Sequence, residues 1–387
     1  MRVLPWEYAV RNLMRSPLRL ALMVCGSALV VSLILASAGF VRGLRASLGG
    51  SGESDNVMIL GAGSEESVER SEIKLAVASI VQGSVPGLKT TLGQAHVSPE
   101  INFQIGVQES PGAPARPAST RGITPAAFLV HRRVRIVEGR APLTARDEVL
   151  VGRLAASRIG LSDDRLTVGK KLYFDNRPWT VVGIFEAGGT IMEAEIWAPL
   201  TDLLVAAKRE TISAVVVTLD KADFGDLDLF AKQRLDLELV AMPEREYYAG
   251  LSAFFSPIQA VAIITAGLIA LTGLCGGLNA LYAAFVARVR EMGTLQTLGY
   301  SRLSILLSLI QESTLASLGG ALLAALLGVL VLDGLAVRFS LGAFGLRIDS
   351  YILVLGLLSG LALGVLGALP PAWRCLRLPI TTALKTS

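Results

Sequence analysis

Cysteine is scarce in this chain of 387 residues, which has only three. Cys25 and Cys275 lie in long apolar runs, and Cys375 lies near the C-terminus. Residues 43–255 therefore contain no thiol, which excludes disulfides and thiolate metal sites there. At about 210 residues, this stretch is long enough to bury an apolar core without cross-links.

Histidine is rarer still, with only His96 and His131. Two separate histidines without neighbouring cysteines do not form a metal-ligand cluster of recognisable spacing. A Ser/His/Asp site is compatible with the composition, but histidines in strand and loop contexts are more typical of structural residues. We therefore expect no metal and no catalytic site.

Nucleotide-binding loops are also missing. A Walker A loop requires G-x-x-x-x-G-K-[ST], and the nearest segment, at Gly169, lacks the first Gly and the final Ser or Thr. We expect no cofactor in this chain.

Charged residues make up only 18% of the chain, and apolar residues make up 52%. About 20 consecutive apolar residues form a helix that spans the hydrocarbon core of a bilayer. The sequence predicts four such transmembrane helices, at residues 18–42, 257–287, 305–335 and 351–370. Core helices of a large soluble enzyme are the alternative, but these are usually shorter and carry a polar face.

A signal peptide is the alternative interpretation of the first run, because Ala36, Ser37 and Ala38 resemble a cleavage site. The long basic segment before the run, and a run longer than a signal core, favour a retained anchor. Arginines precede the first span, separate the second from the third and follow the fourth, which predicts that both termini are cytoplasmic. Arg42 and Arg45 on the other side oppose this assignment but are outnumbered.

Net charge separates along the same boundaries. Residues 43–255 hold 23 Lys and Arg against 27 Asp and Glu, a net charge of −4. The whole chain has a formal charge of +4, so the remaining segments carry +8. The basic character thus reflects a positive-inside bias rather than binding of nucleic acid.

The large insert combines helical and strand patterns. Short β-branched runs bounded by glycines predict strands near residues 57–60, 95–108 and 215–219, and helical patterns occur near 73–80 and 227–235. A central block is richer in strand patterns. We predict a membrane α-helical protein in a 1+3 arrangement with an extracytoplasmic α+β domain of two lobes: an α/β lobe at about 43–130 and 211–250, and a β-rich lobe at about 131–210.

Small residues recur at every fourth position of three spans, as in Gly356, Gly360 and Gly364. Such spacing lets helix backbones approach closely in lipid, although Gly and Ala are also simply common in membrane helices. We favour helix packing, within one chain or between chains. The predicted packing residues are Gly273, Gly277, Gly320, Gly328, Gly356, Gly360 and Gly364.

Glu312 is a carboxylate within the third span, which suggests an ion or proton site. It lies only about 10 Å along the helix from residue 305, however, at 1.5 Å per residue. We favour an interfacial role in which it pairs with a flanking Arg or reaches headgroup water, and we expect no partner charge in another span.

The connection at residues 288–304 is the most specific segment. It reads as a continuation of the second span that carries Leu295 and Leu298 and stops at Gly299, a predicted left-handed cap. Exposed leucines on a rigid helical corner suit a peripheral subunit, whereas a basic turn lying on lipid is the alternative.

At this connection the chain resembles the FtsX-like permeases. Their signature is R-x-R-E-[IM]-G-x-L-x-x-L-G followed by a helix with Glu and Gly-Gly, which Glu312 and Gly319-Gly320 match. The insert resembles the MacB-type periplasmic core domain at residues 138–140, 147–152, 168–169, 181–185 and 246–248. Residues 11–13 and 379–384 also fit, so the resemblance covers nearly the whole chain.

The resemblance implies a membrane subunit of an ABC transporter of the MacB, LolC/E and FtsX type. Such permeases form dimers, of two copies or of paralogues, and a separate cytoplasmic ATPase binds ATP and Mg²⁺. It further implies a location in the bacterial inner membrane and export or extraction of a lipophilic, lipoprotein or amphipathic cargo. The implied partners are membrane lipid and, in adaptor-dependent systems, a periplasmic adaptor protein. The residues expected at the ATPase contact are Arg290, Glu291, Met292, Gly293, Leu295, Leu298 and Gly299.

The implied layout places a cytoplasmic amphipathic helix at residues 1–17, a periplasmic domain at 43–255, an outer loop at 336–350 and a cytoplasmic tail at 371–387. Residues 42–48 and 244–255 would connect the spans to the domain as stalks. The alternative function is an FtsX-like signalling scaffold that regulates an extracytoplasmic enzyme such as a cell-wall hydrolase. Neighbouring genes for a channel or for a hydrolase would discriminate between them.

Overall fold

The computed structural model describes residues 6–339 and 342–379, and these form two compact units. The helical unit comprises described residues 6–42, 257–335 and 346–379. The sheet unit comprises residues 43–256 together with the described part of 336–345. The predicted segments 1–17 and 371–387 and the tail motif at 379–384 lie partly outside the described residues.

Twelve α-helices occur in the described residues. They are α1 (Trp6–Met14), α2 (Pro17–Gly49), α3 (Val77–Ser84), α4 (Ala127–Val130), α5 (Ala155–Ile159), α6 (Leu200–Ala207), α7 (Phe224–Gln233), α8 (Glu244–Phe254), α9 (Ser256–Val286), α10 (Val289–Thr297), α11 (Arg302–Leu327) and α12 (Ser350–Leu376). A π-helical turn, Gly328–Leu332, extends α11. The helices α2, α9, α11 with its extension and α12 are long and apolar enough to cross a membrane, which confirms the prediction of four spans.

Two of these helices are longer than predicted. Helix α2 continues to Gly49 rather than residue 42, and α12 continues through Pro370 and Pro371 to Leu376. Proline removes a helical N–H donor and normally breaks a soluble helix. Membrane helices tolerate it where neighbouring helices pack around the site, and here Pro371 is buried.

Close approach of backbones explains the glycine stripes. A Cβ on Gly364 would lie 2.6 Å from Thr314 Cα in α11, and one on Gly360 would lie 2.5 Å from Ala321 Cβ. The other predicted glycines that approach a neighbouring helix are Gly273 (facing Val30), Gly320 (facing Val24 and Ser27), Gly328 and Gly356 (both facing Leu35). These contacts all lie within one chain.

Gly277 has no packing neighbour within this chain among the described residues. A Cβ there would meet nothing within 4 Å, because Gly277 lines an apolar groove of about 590 Å³ between α2 and α9. Spacing alone cannot distinguish a glycine that faces a helix from one that faces open space.

The sheet unit contains sixteen short and long strands. They are β1 (Asn56–Gly61), β2 (Ile73–Lys74), β3 (Thr90–Thr91), β4 (Gln94–Ala95), β5 (Val97–Val107), β6 (Arg116–Ile123), β7 (Arg135–Gly139), β8 (Glu148–Gly152), β9 (Lys171–Phe174), β10 (Arg177–Glu186), β11 (Ile196–Pro199), β12 (Thr211–Ile212), β13 (Ala214–Thr218), β14 (Leu239–Pro243), β15 (Ala336–Arg338) and β16 (Ala343–Gly345). Ten of them form one mixed sheet in the order β14-β1-β13-β5-β6-β11-β8-β10-β7, with β9 added to β10.

One sheet joins the strands of the two predicted lobes. Strand β11 pairs in parallel with β6, with Ile196 opposite Thr120, and antiparallel with β8. The predicted outer loop contributes the hairpin β15–β16 to the same unit.

Both faces of the sheet are covered. Val57 and Ile59 of β1 pack into the cluster that includes residues from α3, α6 and α7, whereas Met58 and Leu60 pack into a second cluster with residues from α4 and α8. A strand buried on both faces has a continuous apolar run, which is what made β1 recognisable. The α+β prediction is confirmed, and packing holds this cysteine-free unit together.

An ionic network is buried in the middle of the sheet. Arg121 Nη1 donates to Glu100 Oε2 at 2.6 Å, and its Nε donates to Glu195 Oε2 at 2.7 Å. His131 Nε2 lies 2.7 Å from Glu100 Oε1. Burial alone would raise the pKa of Glu100, but the charges of His131 and Arg121 outweigh burial and lower this pKa to about 2.

Replacing Gly364 tests the close packing of α11 and α12. Gly364→Ala should lower the free energy of unfolding by about 1–3 kcal/mol, because the added methyl group meets backbone that cannot move aside cheaply. Gly267→Ala is the matched control, since its Cβ meets nothing within 4 Å. Thermal unfolding in detergent, followed by circular dichroism, measures both, and equal stability of the two variants would contradict this packing.

Replacing Arg121 tests the buried network. Arg121→Met should cost about 3–5 kcal/mol, because it leaves Glu100 and Glu195 buried without a counter-charge. Lys232→Met is the control, because Lys232 forms a pair of similar length with Asp228 but the two side chains are 72% and 30% exposed, so the loss should be far smaller. Denaturant unfolding of both full-length variants measures the difference, and similar losses would show that burial does not matter here.

Candidate functional site

The predicted corner is a separate helix rather than a continuation of the second span. Helix α9 ends at Val286, and Arg288 leaves helical geometry with φ −117° and ψ 11°. Helix α10 then runs to Thr297. The predicted stop at Gly299 is present as a left-handed residue with φ +90°, a conformation that glycine adopts without steric cost.

The two faces of α10 differ in exposure. Val289, Met292 and Gly293 are buried. Met292 packs against the cluster formed by α9, α11 and α12, and Leu295 is partly buried on it. Of the expected ATPase-contact residues, the ones that lie on the exposed face or just beyond the end of α10 are Arg290, Glu291, Leu298 and Gly299.

Met292 and Gly293 are therefore covered within this chain rather than presented on its surface. The prediction that both lie at an ATPase contact stays a prediction. The exposed apolar feature is Leu298, which is 60% exposed.

Glu312 of α11 is the centre of a buried polar cluster. The carboxylate is 5% exposed and accepts hydrogen bonds from three side chains. Arg19 Nη2 lies 2.7 Å from Oε1, and Arg288 Nη1 lies 3.0 Å from Oε2. Asn12 Nδ2 also donates to Oε2.

These donors come from three different elements. Asn12 belongs to α1, Arg19 to the first turn of α2, and Arg288 to the break before α10. The expected pairing with a flanking arginine is present. The expectation of no partner charge in another span is wrong, because Arg19 lies inside the helix that forms the first span.

The cluster reaches the exposed face of α10. Arg288 Nε donates to Glu291 Oε2 at 3.2 Å, so Arg288 joins an exposed carboxylate on α10 to a buried one on α11. Charge-assisted hydrogen bonds therefore connect a side chain on the exposed face of α10 to the buried cluster.

The contacts of Glu312 join helices to one another. Within residues 6–339 and 342–379, His, Cys, Asp and Glu form no group of three or more that could hold a metal ion. The two oxygens of the Glu312 carboxylate accept hydrogen bonds from three side chains. A carboxylate with these partners holds helices in position and is a poor candidate for proton transfer.

Two family models match the chain. The MacB-like periplasmic core domain matches residues 20–226, which is more than half of the chain, and the FtsX-like permease C-terminal domain matches residues 263–380. The uncharacterized ABC transporter permease YknZ of Bacillus subtilis (strain 168) is 21% identical over 397 residues, covering 96% of this chain and 95% of that protein.

Solved structures give a fold comparison for the sheet unit. The periplasmic region of MacB from Actinobacillus actinomycetemcomitans has a TM-score of 0.39 at 16% identity, covering 52% of this chain and 94% of that one. The extracellular domain of the noncanonic ABC-type transporter YknZ from Gram-positive bacteria has a TM-score of 0.37 at 13% identity, covering 48% and 99%.

Neutralising Glu312 tests its anchoring role. Glu312→Gln should lower the free energy of unfolding by about 3 kcal/mol, because two largely buried arginines lose their counter-charge. Glu7→Gln is the control, since the Glu7 and Arg11 side chains are 77% and 84% exposed and their pair should contribute below about 1 kcal/mol.

Thermal unfolding in detergent distinguishes the two variants. Adding Arg288→Gln to Glu312→Gln should restore part of the loss, which a double-mutant cycle quantifies. If Glu312→Gln unfolds with the same midpoint as Glu7→Gln, the cluster does not anchor the corner.

Proposed function

Because this chain belongs to the MacB- and FtsX-type family of ABC transporter permeases, we propose that it couples ATP hydrolysis on a separate ATPase chain to movement of its own sheet unit. The ATPase supplies ATP and Mg²⁺ binding, and this chain contributes no catalytic group. The cargo that we infer is a lipoprotein, a lipid or an amphipathic molecule that is exported or extracted from the membrane.

The observation that carries the proposal is the construction of α10. It presents Leu298 and Arg290 on an exposed face, while its opposite face is packed and its start is fixed through Arg288 to buried Glu312. A docking element must be accessible to the partner and rigidly joined to the parts that move. This helix meets both requirements.

The length of α2 supports transmission of that motion. Its 33 residues extend about 50 Å at 1.5 Å per residue, whereas the hydrocarbon core of a bilayer is about 30 Å thick. Helix α2 is therefore longer than a span requires. A rigid helix that extends beyond the hydrocarbon core can act as a lever. Helix α8, which directly precedes α9, is the proposed second stalk.

The proposal includes a topology and an assembly. The helical unit lies in the bacterial inner membrane with both termini in the cytoplasm, and the sheet unit lies outside. Two copies form a homodimer over a pair of ATPase subunits. The excess of arginine on the flanks that we assign to the cytoplasm supports this orientation.

Altering the exposed face of α10 tests the coupling. Leu298→Asp with Arg290→Glu should lower co-purification of a Walker A ATPase from native membranes roughly tenfold or more, because apolar and arginine contacts dominate binding energy at interfaces. Leu295 is left intact, since it is partly buried and its replacement would disturb packing.

Leu235→Asp is the matched control, because this leucine is 81% exposed and lies in the sheet unit. Each variant is captured from the same host and the recovered proteins are identified by mass spectrometry. Undiminished ATPase recovery with the α10 variant would contradict the coupling proposal.

A further inference from the structure

The helical unit contains a second groove, which begins at Arg302 and Leu303, where the predicted connection at residues 288–304 ends. It lies between the start of α11 and the end of α12 and has a volume of about 340 Å³. Its lining residues are Arg302, Leu303, Leu306, Trp373, Leu376 and Arg377. Apolar carbon forms most of the surface, and charge is confined to the two arginines.

The groove has a layered construction. Leu306 and Leu376 are buried and form its floor, being 6% and 4% exposed. Leu303 and Trp373 form its walls and are 57% and 51% exposed. Large apolar side chains with this exposure indicate a surface that meets hydrocarbon or another apolar molecule.

The two arginines at the rim have no acidic partner. Among the residues that the structure describes, neither Arg302 nor Arg377 forms an ion pair. Arg302 Nε lies 3.4 Å from the neutral Gln296 Oε1, and the Arg377 guanidinium lies 5.2 Å from the centroid of the Trp373 ring. The rim therefore carries two uncompensated positive charges.

The rim lies where two membrane-length helices end. Arg302 is the first residue of α11, and Arg377 directly follows the last residue of α12. Lys and Arg at such positions meet lipid headgroups, and tryptophan is enriched at the same level because its ring is amphipathic. Basic pockets between membrane helices at this depth are suited to anionic phospholipid headgroups.

We propose that this groove binds an anionic phospholipid, with the phosphate at Arg302 and Arg377 and an acyl chain along Leu303, Leu306 and Trp373. The apolar floor distinguishes this ligand from a soluble anion, which would gain nothing from burying leucines. The interfacial tryptophan distinguishes it from an ATPase surface, which would meet the exposed face of α10. The inference stands independently of the ATPase coupling.

Native mass spectrometry of the full-length protein, delipidated in detergent, tests the site. Phosphatidylglycerol and phosphatidylcholine are titrated separately, and bound lipid is counted. The wild type should prefer phosphatidylglycerol. Arg302→Gln with Arg377→Gln should weaken phosphatidylglycerol binding about 25-fold, at about fivefold for each arginine near an anionic headgroup. The loss of phosphatidylcholine binding should be much smaller, because the choline cation of that lipid makes its headgroup net neutral.

Arg11→Gln with Arg15→Gln is the matched control, because it removes two exposed charges from the same unit outside the groove. Trp373→Ala should weaken binding of both lipids, since it removes a wall of the groove. All variants should retain wild-type helical content and elution volume, which separates loss of the site from loss of the fold.

Two results would overturn the proposal. The first is unchanged phosphatidylglycerol binding in the groove variant, and a simultaneous loss of ATPase co-purification would then make the groove an ATPase contact. The second is an equal loss in the control, which would indicate diffuse charge attraction. Competition by free glycerol phosphate at millimolar concentration should be weak, because that molecule lacks an acyl chain.

Discussion

A buried carboxylate in an apolar helix must be paired, and this requirement organises one end of the helical unit. An isolated charge at the position of Glu312 would carry a large desolvation penalty. Asn12, Arg19 and Arg288 satisfy it from three separate elements. The positions of α1, α2 and α10 relative to α11 therefore follow from one side chain and its donors.

The sheet unit uses the same principle with the signs reversed. Arg121 is the buried centre, and Glu100 and Glu195 surround it from neighbouring strands. Trp197 Nε1 donates to Glu195 as well, which satisfies that carboxylate further. In a unit without cysteine, such a network specifies which strands pair, while the apolar clusters on both faces supply most of the stabilising energy.

Structural features that are set by neighbouring positions in the chain could be predicted from the sequence. Bilayer-length runs identified four spans, and continuous apolar runs identified β1 and β13. Strand β6 was missed because it includes Arg121, whose burial depends on partners far away in the chain.

The contacts of Glu312 with Asn12 and Arg19 span 300 and 293 positions, so no local pattern reveals them. The break at Arg288 was missed for the same reason. The non-helical conformation of Arg288 accompanies its ion pair with Glu312, which lies 24 positions away in the chain.

The most direct measurement is a distance between spin labels in the two units during ATP turnover. Labels on Leu235→Cys and Val331→Cys, both exposed in the parent chain, would be placed in a variant whose three native cysteines are replaced. In the presence of the partner ATPase, ATP with Mg²⁺ should shift the distance distribution, and without the ATPase it should not. Identical distributions while the ATPase is hydrolysing ATP would contradict the coupling of hydrolysis to movement of the sheet unit.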